Sequence, residues 1–365
     1  MITALFCLFL GGMLLLFLLL PAESFSEKEK RYLAKAPALS WASLLSGTFG
    51  TDAESYAADH LPGRDFLVGL NAAYDRLSGR QVTKEILRGR SGRLYEAPAP
   101  YDEAVIRRNM AAVNAFAEAV GQPVDCMLIP SAGYMQQDDM PLLYDPWTDE
   151  AILASAASLC AERVRPLDLR QAFSADGPAA LYYRTDHHWT SRGAWLAASV
   201  YAEAVGRALP KAEDYAVTAI PGFLGTTYSR SALWSTGAEE LELWDSGGRY
   251  TVENLDHPGL HEGLFYPERL DEADKYPVFL DGNHSLVRIR REGGEADGKL
   301  LVIRDSFSNS LGCFLADCYG EVVLVDLRYY RQPVSALLEE ETFDHILVVY
   351  GVRNFMTDGN LVRLE

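Results

Sequence analysis

Three stretches of the 365-residue chain, KLLVIRDS, EVVLVDLRYY and HILVVYGV, are continuous apolar runs rich in Val, Ile and Leu. A strand with one wet face alternates apolar and polar residues, whereas a run without alternation is covered on both faces, as in a parallel sheet between helices. VDCMLIPS has the same character and follows DEAVIRRNMAAVNAFAEAV, which is apolar at helical spacing. DEAILASAASLCAERV is a further helix, followed by RPLDLRQ. From Tyr101 onward the alternation of helix and strand predicts an α/β domain over residues 101–365, three-layered α/β/α with a mainly parallel sheet.

That rhythm disappears between Pro210 and about Arg291, where Gly, Asp and Tyr are frequent. This segment is expected to be an insertion of β and loop character near the strand ends, bordering the cleft. Residues 22–100 form an N-terminal helical and linker region: Glu27 to Gln81 is helical in character, broken by DHLPGRDF. Residues 1–21 are a signal anchor, with a cleaved signal peptide as the competing reading, because Ile2 to Leu20 carries no charge and is about long enough to span a bilayer. Lys28, Lys30 and Arg31 follow the span, so flanking charge alone would put the body inside. An extracytoplasmic body, anchored or secreted, therefore needs other support.

The formal net charge of −18 excludes nucleic acid as a partner, since its phosphates would be repelled. Cys126, Cys160, Cys313 and Cys318 have no C-x-x-C spacing, which argues against a zinc cage and leaves bridges or buried free thiols open.

The chemistry concentrates in RTDHHWTSRGAW. In an extended segment Asp186 and His188 share a face and His187 points the other way. The carboxylate can then hold one imidazole nitrogen while the other acts as a base. Thr190 or Ser191 can cap the helix that follows. The nucleophile such a base requires is Ser306 in VIRDSFSNS, between a buried strand and an apolar helix, with its own N–H at the helix start. Asn283, in LDGNHS, is a candidate second oxyanion donor. Arg328 and Tyr329, in DLRYY, and Trp189 are candidate substrate contacts. Each also has a plainer reading: D-x-H as a surface hydrogen-bond pair, D-S as a helix cap, DGN as a turn, Arg328 as an ion pair, Trp189 as packing. No metal is expected, because adjacent residues such as Asp186, His187 and His188 seldom ligate one ion together.

Jointly these residues resemble the bacterial DHHW family, whose motif stands here as Asp186-His187-His188-Trp189. They are similar in turn to the alginate O-acetylation proteins of the SGNH-hydrolase superfamily, which carry a related D-x-H-W motif. DHLPGRDF, GRSGRLYE, IPSAGYM, DLRQAF, YYRTDHHWTSRGA, GFLGTTYS and RDSFSNSL occur in the family's order. The resemblance implies an SGNH-hydrolase-like fold and a catalytic triad of Asp186, His188 and Ser306. It further implies O-acetyl transfer or ester cleavage on a cell-surface or exported polysaccharide, a membrane-bound O-acyltransferase partner, and no cofactor. Arg304 departs from the glycine of the usual G-D-S motif. A polysaccharide-binding or scaffold protein without turnover is the rival of a different class.

Overall fold

The computed structural model describes residues 1–142, 144–293 and 297–364; Leu143, residues 294–296 and Glu365, which fall within the expected domain, lie outside the described residues. The chain divides into two compact units, residues 1–84 with 228–236, and residues 85–227 with 237–365.

The first unit begins with helix α1 (Ile2–Leu19), none of whose residues is buried. Among the described residues it is the one helix long and apolar enough to cross a membrane. It stops where the chain turns extended at Leu20, before Pro21, as expected of a residue preceding proline. Helices α2 (Trp41–Ser46), α3 (Thr48–Asp59) and α4 (Arg64–Leu77) follow, giving the helical preface its character. DHLPGRDF is the joint between α3 and α4, and its acid is an anchor. Asp59 accepts from Arg31 Nη1 at 2.9 Å and from the Ala34 amide at 2.8 Å. The Arg31 hydrogen bonds, against the opposing effect of partial burial, hold its carboxyl down at about 2.

The second unit is layered around one sheet. Its strands and helices in chain order are the hairpin β1 (Ile86–Arg88) and β2 (Leu94–Glu96), α5 (Glu103–Val120), β3 (Val124–Ile129), α6 (Asp149–Ser158), β4 (Val164–Leu167) and α7 (Ser191–Val205). Then come the ribbon β5 (Ala216–Phe223) and β6 (Glu239–Asp245), and β7 (Arg249–Asn254), β8 (His257–Glu262), β9 (Leu286–Glu292) and β10 (Lys299–Arg304). The series closes with α8 (Ser308–Cys318), β11 (Glu321–Val325), α9 (Val334–Glu340), β12 (His345–Gly351) and α10 (Val352–Thr357).

Among the described residues the main sheet runs β8-β7-β9-β11-β10-β12-β3-β4. Strands β11, β10, β12, β3 and β4 are parallel, as the unalternating runs predict, and β9, β7 and β8 extend that sheet antiparallel. These last three come from the Pro210–Arg291 segment, so much of it is built into the sheet. In β9 Val287 and Ile289 are buried while Leu286, Arg288 and Arg290 around them are partly or fully exposed, the half-wet alternation of an antiparallel strand.

Both faces of the parallel strands are covered. Leu300, Val302, Val322, Leu324, Leu347 and Val349 pack with α7 and α8; Leu301, Ile303, Val323, Val325, Ile346 and Val348 pack with α5, α6 and α9. Cys126, Cys313 and Cys318 sit in these layers as buried free thiols. The carboxyl ends of β3, β10 and β12 therefore meet at one edge, where open α/β sheets place their sites.

Candidate active site

The chain from Tyr182 to Trp189 is a loop closed on itself. Tyr182 and Trp189 form an antiparallel bridge, and the Tyr183 amide bonds the His188 carbonyl at 3.2 Å. Between them the backbone bends, because the Glu239 carboxylate collects the amides of Arg184 at 2.7 Å and Thr185 at 2.7 Å, with the Thr185 hydroxyl as a further donor. The extended geometry expected here is therefore corrected. His187 does not point away: its ring lies 3.8 Å from that of His188, and its Nδ1 is 2.7 Å from Thr226 Oγ1.

Asp186, 1% exposed, is fully engaged. Its Oδ1 accepts from the His188 amide at 2.9 Å and from His188 Nδ1 at 2.6 Å. Its Oδ2 accepts from the Thr226 amide at 2.6 Å and the Thr226 hydroxyl at 3.0 Å. With that hydroxyl proton committed, His187 Nδ1 is the donor to Thr226. On the far side of the imidazole, His188 Nε2 is 2.8 Å from Ser306 Oγ. Asp186, His188 and Ser306 thus form one continuous hydrogen-bonded chain.

Burial alone would raise the Asp186 carboxyl. The neighbouring His188 and His187, with the hydrogen bonds from His188 and the Thr226 amide, overcome it and hold the group well below the carboxylate range. For His188 burial dominates: it, with the adjacent His187, pushes the imidazole below its ordinary value against the pull of Asp186. The resting pair is an ionised acid and a neutral imidazole whose Nε2 can accept a proton. Asp186 by itself would raise the histidine, but desolvation outweighs it.

Ser306 sits on the turn between β10 and α8, and Asp305 builds that turn. Asp305 Oδ1 accepts the Phe307 amide at 3.0 Å, while Oδ2 accepts the Gly351 amide at 2.8 Å and Asn354 Nδ2 at 2.7 Å. Arg304, where the usual motif has glycine, is fully buried beneath the serine and donates through Nη1 to Asn309 Oδ1. Asn309 Nδ2 in turn donates to Asn283 Oδ1 at 3.1 Å. Asn283 is exposed beside this cluster, with the carbonyl end of its amide committed.

The candidate substrate contacts separate. Trp189 is 0% exposed, and its indole N–H is shared between the Phe307 carbonyl at 3.1 Å and Ser310 Oγ at 2.9 Å. It therefore joins the histidine loop to the serine helix and touches no substrate, which corrects its assignment as a substrate contact. Trp189→Ala is expected to lower stability by about 3–5 kcal/mol in urea unfolding, whereas Tyr329→Ala stays within about 0.5 kcal/mol. Tyr329 is exposed at the carboxyl end of β11, with the Arg328 guanidinium 5.5 Å from its ring centroid. Arg328 itself is held by Asp326 through Nε at 2.9 Å and Nη2 at 2.6 Å.

Further residues complete the site without a sequence signal that assigned them. The Tyr276 ring stacks on His188 at 4.0 Å and 7°, and its hydroxyl is 3.1 Å from Ser310 Oγ. Gly225, in GFLGTTYS, passes so close to Asp186 that a Cβ there would lie 2.2 Å from the Asp186 Cβ. A cleft of about 490 Å³ including its open mouth borders the loop, lined among others by Tyr95, Glu96, His187, Phe307, Arg353 and Asn354.

Sheet order and the serine turn together define the class: the chain carries an SGNH hydrolase-like α/β fold. The family described as the SGNH hydrolase-like domain of the acetyltransferase AlgX matches residues 91–222. A DHHW family protein from Eubacterium siraeum superposes with a TM-score of 0.68 at 20% identity, over 77% of this chain and 95% of that one. PatB1 from Bacillus cereus, solved with a sulfonyl adduct, gives 0.65 at 20% identity, over 77% of this chain and 98% of that one. No curated protein sequence matches the chain.

Proposed function

We propose that this protein is a Ser-His-Asp acyltransferase that moves acetyl groups onto a polysaccharide outside the cytoplasm. The observation that carries the reading is the 2.8 Å contact between Ser306 Oγ and His188 Nε2, backed by Asp186 on Nδ1 at 2.6 Å. Ser306 Oγ attacks the carbonyl carbon of the acetyl donor while His188 Nε2 takes its proton. The tetrahedral oxyanion is met by the Ser306 amide and by Asn283, since the Phe307 amide is spent on Asp305. Collapse of the intermediate expels the donor's oxygen, which receives the proton from His188, and leaves an acetyl ester on Ser306. A sugar hydroxyl then gives its proton to His188 and attacks the acetyl carbonyl, expelling Ser306 Oγ, which takes the proton back from His188 and leaves acetyl on the sugar oxygen; water in its place makes the same site an esterase. Arg328 and Tyr329 stand at the same edge of the sheet as contacts for the glycan. No metal or organic cofactor enters these steps.

Support for acetyl transfer comes from the match of residues 91–222 to the SGNH hydrolase-like domain of the acetyltransferase AlgX. Support for a membrane location comes from α1, uncharged and with no residue buried. The body lies on the outer face because an exported glycan is found there, and a membrane-bound O-acyltransferase is the partner that delivers acetyl across the bilayer.

The test is to incubate the protein with an activated acetyl ester, locate the acetyl group by peptide mass spectrometry, and add oligosaccharide acceptors. Acetyl on Ser306 that passes to sugar is the expected result. Label that reaches only water identifies an esterase. Absence of label on Ser306, and no reaction with a sulfonyl fluoride either, would leave a glycan-binding scaffold. The pH profile follows from the depressed imidazole: acylation should be constant above neutrality and fall only as pH drops through a midpoint below the ordinary histidine value of 6.5. A midpoint above 6.5 would show that Asp186 outweighs burial.

A further inference from the structure

Away from Ser306, His257, Asp281 and His284 converge so that one ligand atom from each lies within 4.8 Å of the others. They come from separate parts of the chain: His257 opens β8, while Asp281 and His284 flank the turn that precedes β9. His284 Nε2 lies 3.1 Å from Asp281 Oδ2 and 3.1 Å from the Asp281 carbonyl oxygen. Two donors on one zinc ion, each about 2.0–2.2 Å from it, stand roughly 3.3 Å apart in tetrahedral geometry, so this pair has the required spacing.

Neighbouring side chains hold the donors in that attitude. Arg269 Nε takes Asp281 Oδ1 at 2.6 Å, which leaves Oδ2 turned to the histidine. Asp256 Oδ2 is 3.5 Å from His284 Nδ1, on the opposite side of the ring from Asp281. A carboxylate facing the non-ligating nitrogen is the arrangement that orients metal-bound imidazoles. The side chain of His284 is 6% exposed, and the exposed ring of His257 meets it edge to face with centroids 5.2 Å apart. The backbone is also costly here: Leu280 and Asp281 have φ of 54° and 64°, a left-handed conformation that side chains disfavour.

We infer that His257, Asp281 and His284 bind a divalent transition-metal ion, zinc before others, through two imidazoles and a monodentate carboxylate with water at the remaining position. Two nitrogens and one oxygen suit zinc, whereas magnesium and calcium take oxygen sets. Asn283 lies between Asp281 and His284, and its Oδ1 accepts from Asn309 on the helix behind Ser306. The ion therefore fixes the turn that reaches the serine helix, acting as a clamp rather than a reagent.

Chelator-treated full-length protein is titrated with zinc chloride by calorimetry, and thermal unfolding is followed with and without the ion. Wild type should take up one zinc per chain and unfold at a higher temperature when loaded. His257→Ala and Asp281→Asn should each weaken binding by at least about tenfold and remove the thermal shift. His257 is exposed, so its variant keeps the test valid even if Asp281→Asn fails to fold. His187→Ala separates this cluster from Asp186, His187 and His188, whose ligand atoms are also close. Uptake lost in His187→Ala but kept in His257→Ala would overturn the inference, as would no stoichiometric uptake by wild type. Zinc stoichiometry does not depend on what Ser306 does, so the proposed acyl transfer can fail without affecting this result.

Discussion

Ser306→Ala is expected to lower acetyl turnover by roughly four to six orders of magnitude while leaving the unfolding midpoint nearly unchanged. The serine contributes one hydroxyl to the hydrogen-bonded chain and little to packing, so its loss removes the nucleophile and spares the fold. Removing His188 is structurally harsher, because Asp186 at 1% exposure would be left as a buried carboxylate without its main partner. His188→Asn is the better variant: its side-chain amide can still donate to Asp186 but cannot take a proton from Ser306. It should match Ser306→Ala in turnover, and the double variant should be scarcely worse than either, since the residues act as a unit. Asp186→Asn should cost about a thousandfold or more by favouring the wrong tautomer. Rates of hydrolysis and transfer, measured beside urea midpoints for these variants, separate loss of chemistry from loss of fold. Wild-type turnover in Ser306→Ala would end the acyl-enzyme reading.

Gly225→Ala should be the next most damaging change, although it touches neither serine nor imidazole. The added carbon would stand 2.2 Å from Asp186 Cβ, 2.3 Å from Oδ2 and 2.6 Å from Cγ, which no relaxation of a flexible side-chain end can absorb. Either the Gly225–Thr226 backbone retreats and withdraws the Thr226 amide and hydroxyl from Asp186, or Asp186 moves and carries His188 with it. A displacement of about 1 Å at a reacting group costs on the order of a hundredfold, and overpacking of this kind about 1–3 kcal/mol. Turnover should therefore fall at least a hundredfold, with a smaller, measurable fall in the urea midpoint. Activity within twofold of wild type would show that the Thr226 contacts do not position Asp186.

The parts of this molecule that could be read from its sequence are those fixed by local pattern. VIR and LVV runs announce strands buried on both sides whatever lies beside them, and a D-x-H before a capped helix places its own partners. The direction of His187 has no local mark, because the bend before it is held by Glu239, more than fifty residues away, which draws two amides. Tyr276 has no local mark at all; it matters only because the chain returns after β8 to lay its ring on His188. The antiparallel strands β7 and β9 carry a weaker alternating pattern, and a Gly-rich, Asp-rich setting hid it. Trp189 illustrates a different limit: adjacency to the Asp186–His188 pair predicts contact with the site but cannot distinguish a wall from a strut.

Strand β12 is the latest in the chain, yet it lies between β10 and β3, where it bonds both. Its last residue, Gly351, also supplies the amide that Asp305 uses to hold the serine turn. The histidine loop precedes β12 in the chain, but without β12 the sheet would have a gap between β10 and β3 and the turn would lose that amide. The frame of the serine turn thus rests on a strand that comes late among the described residues.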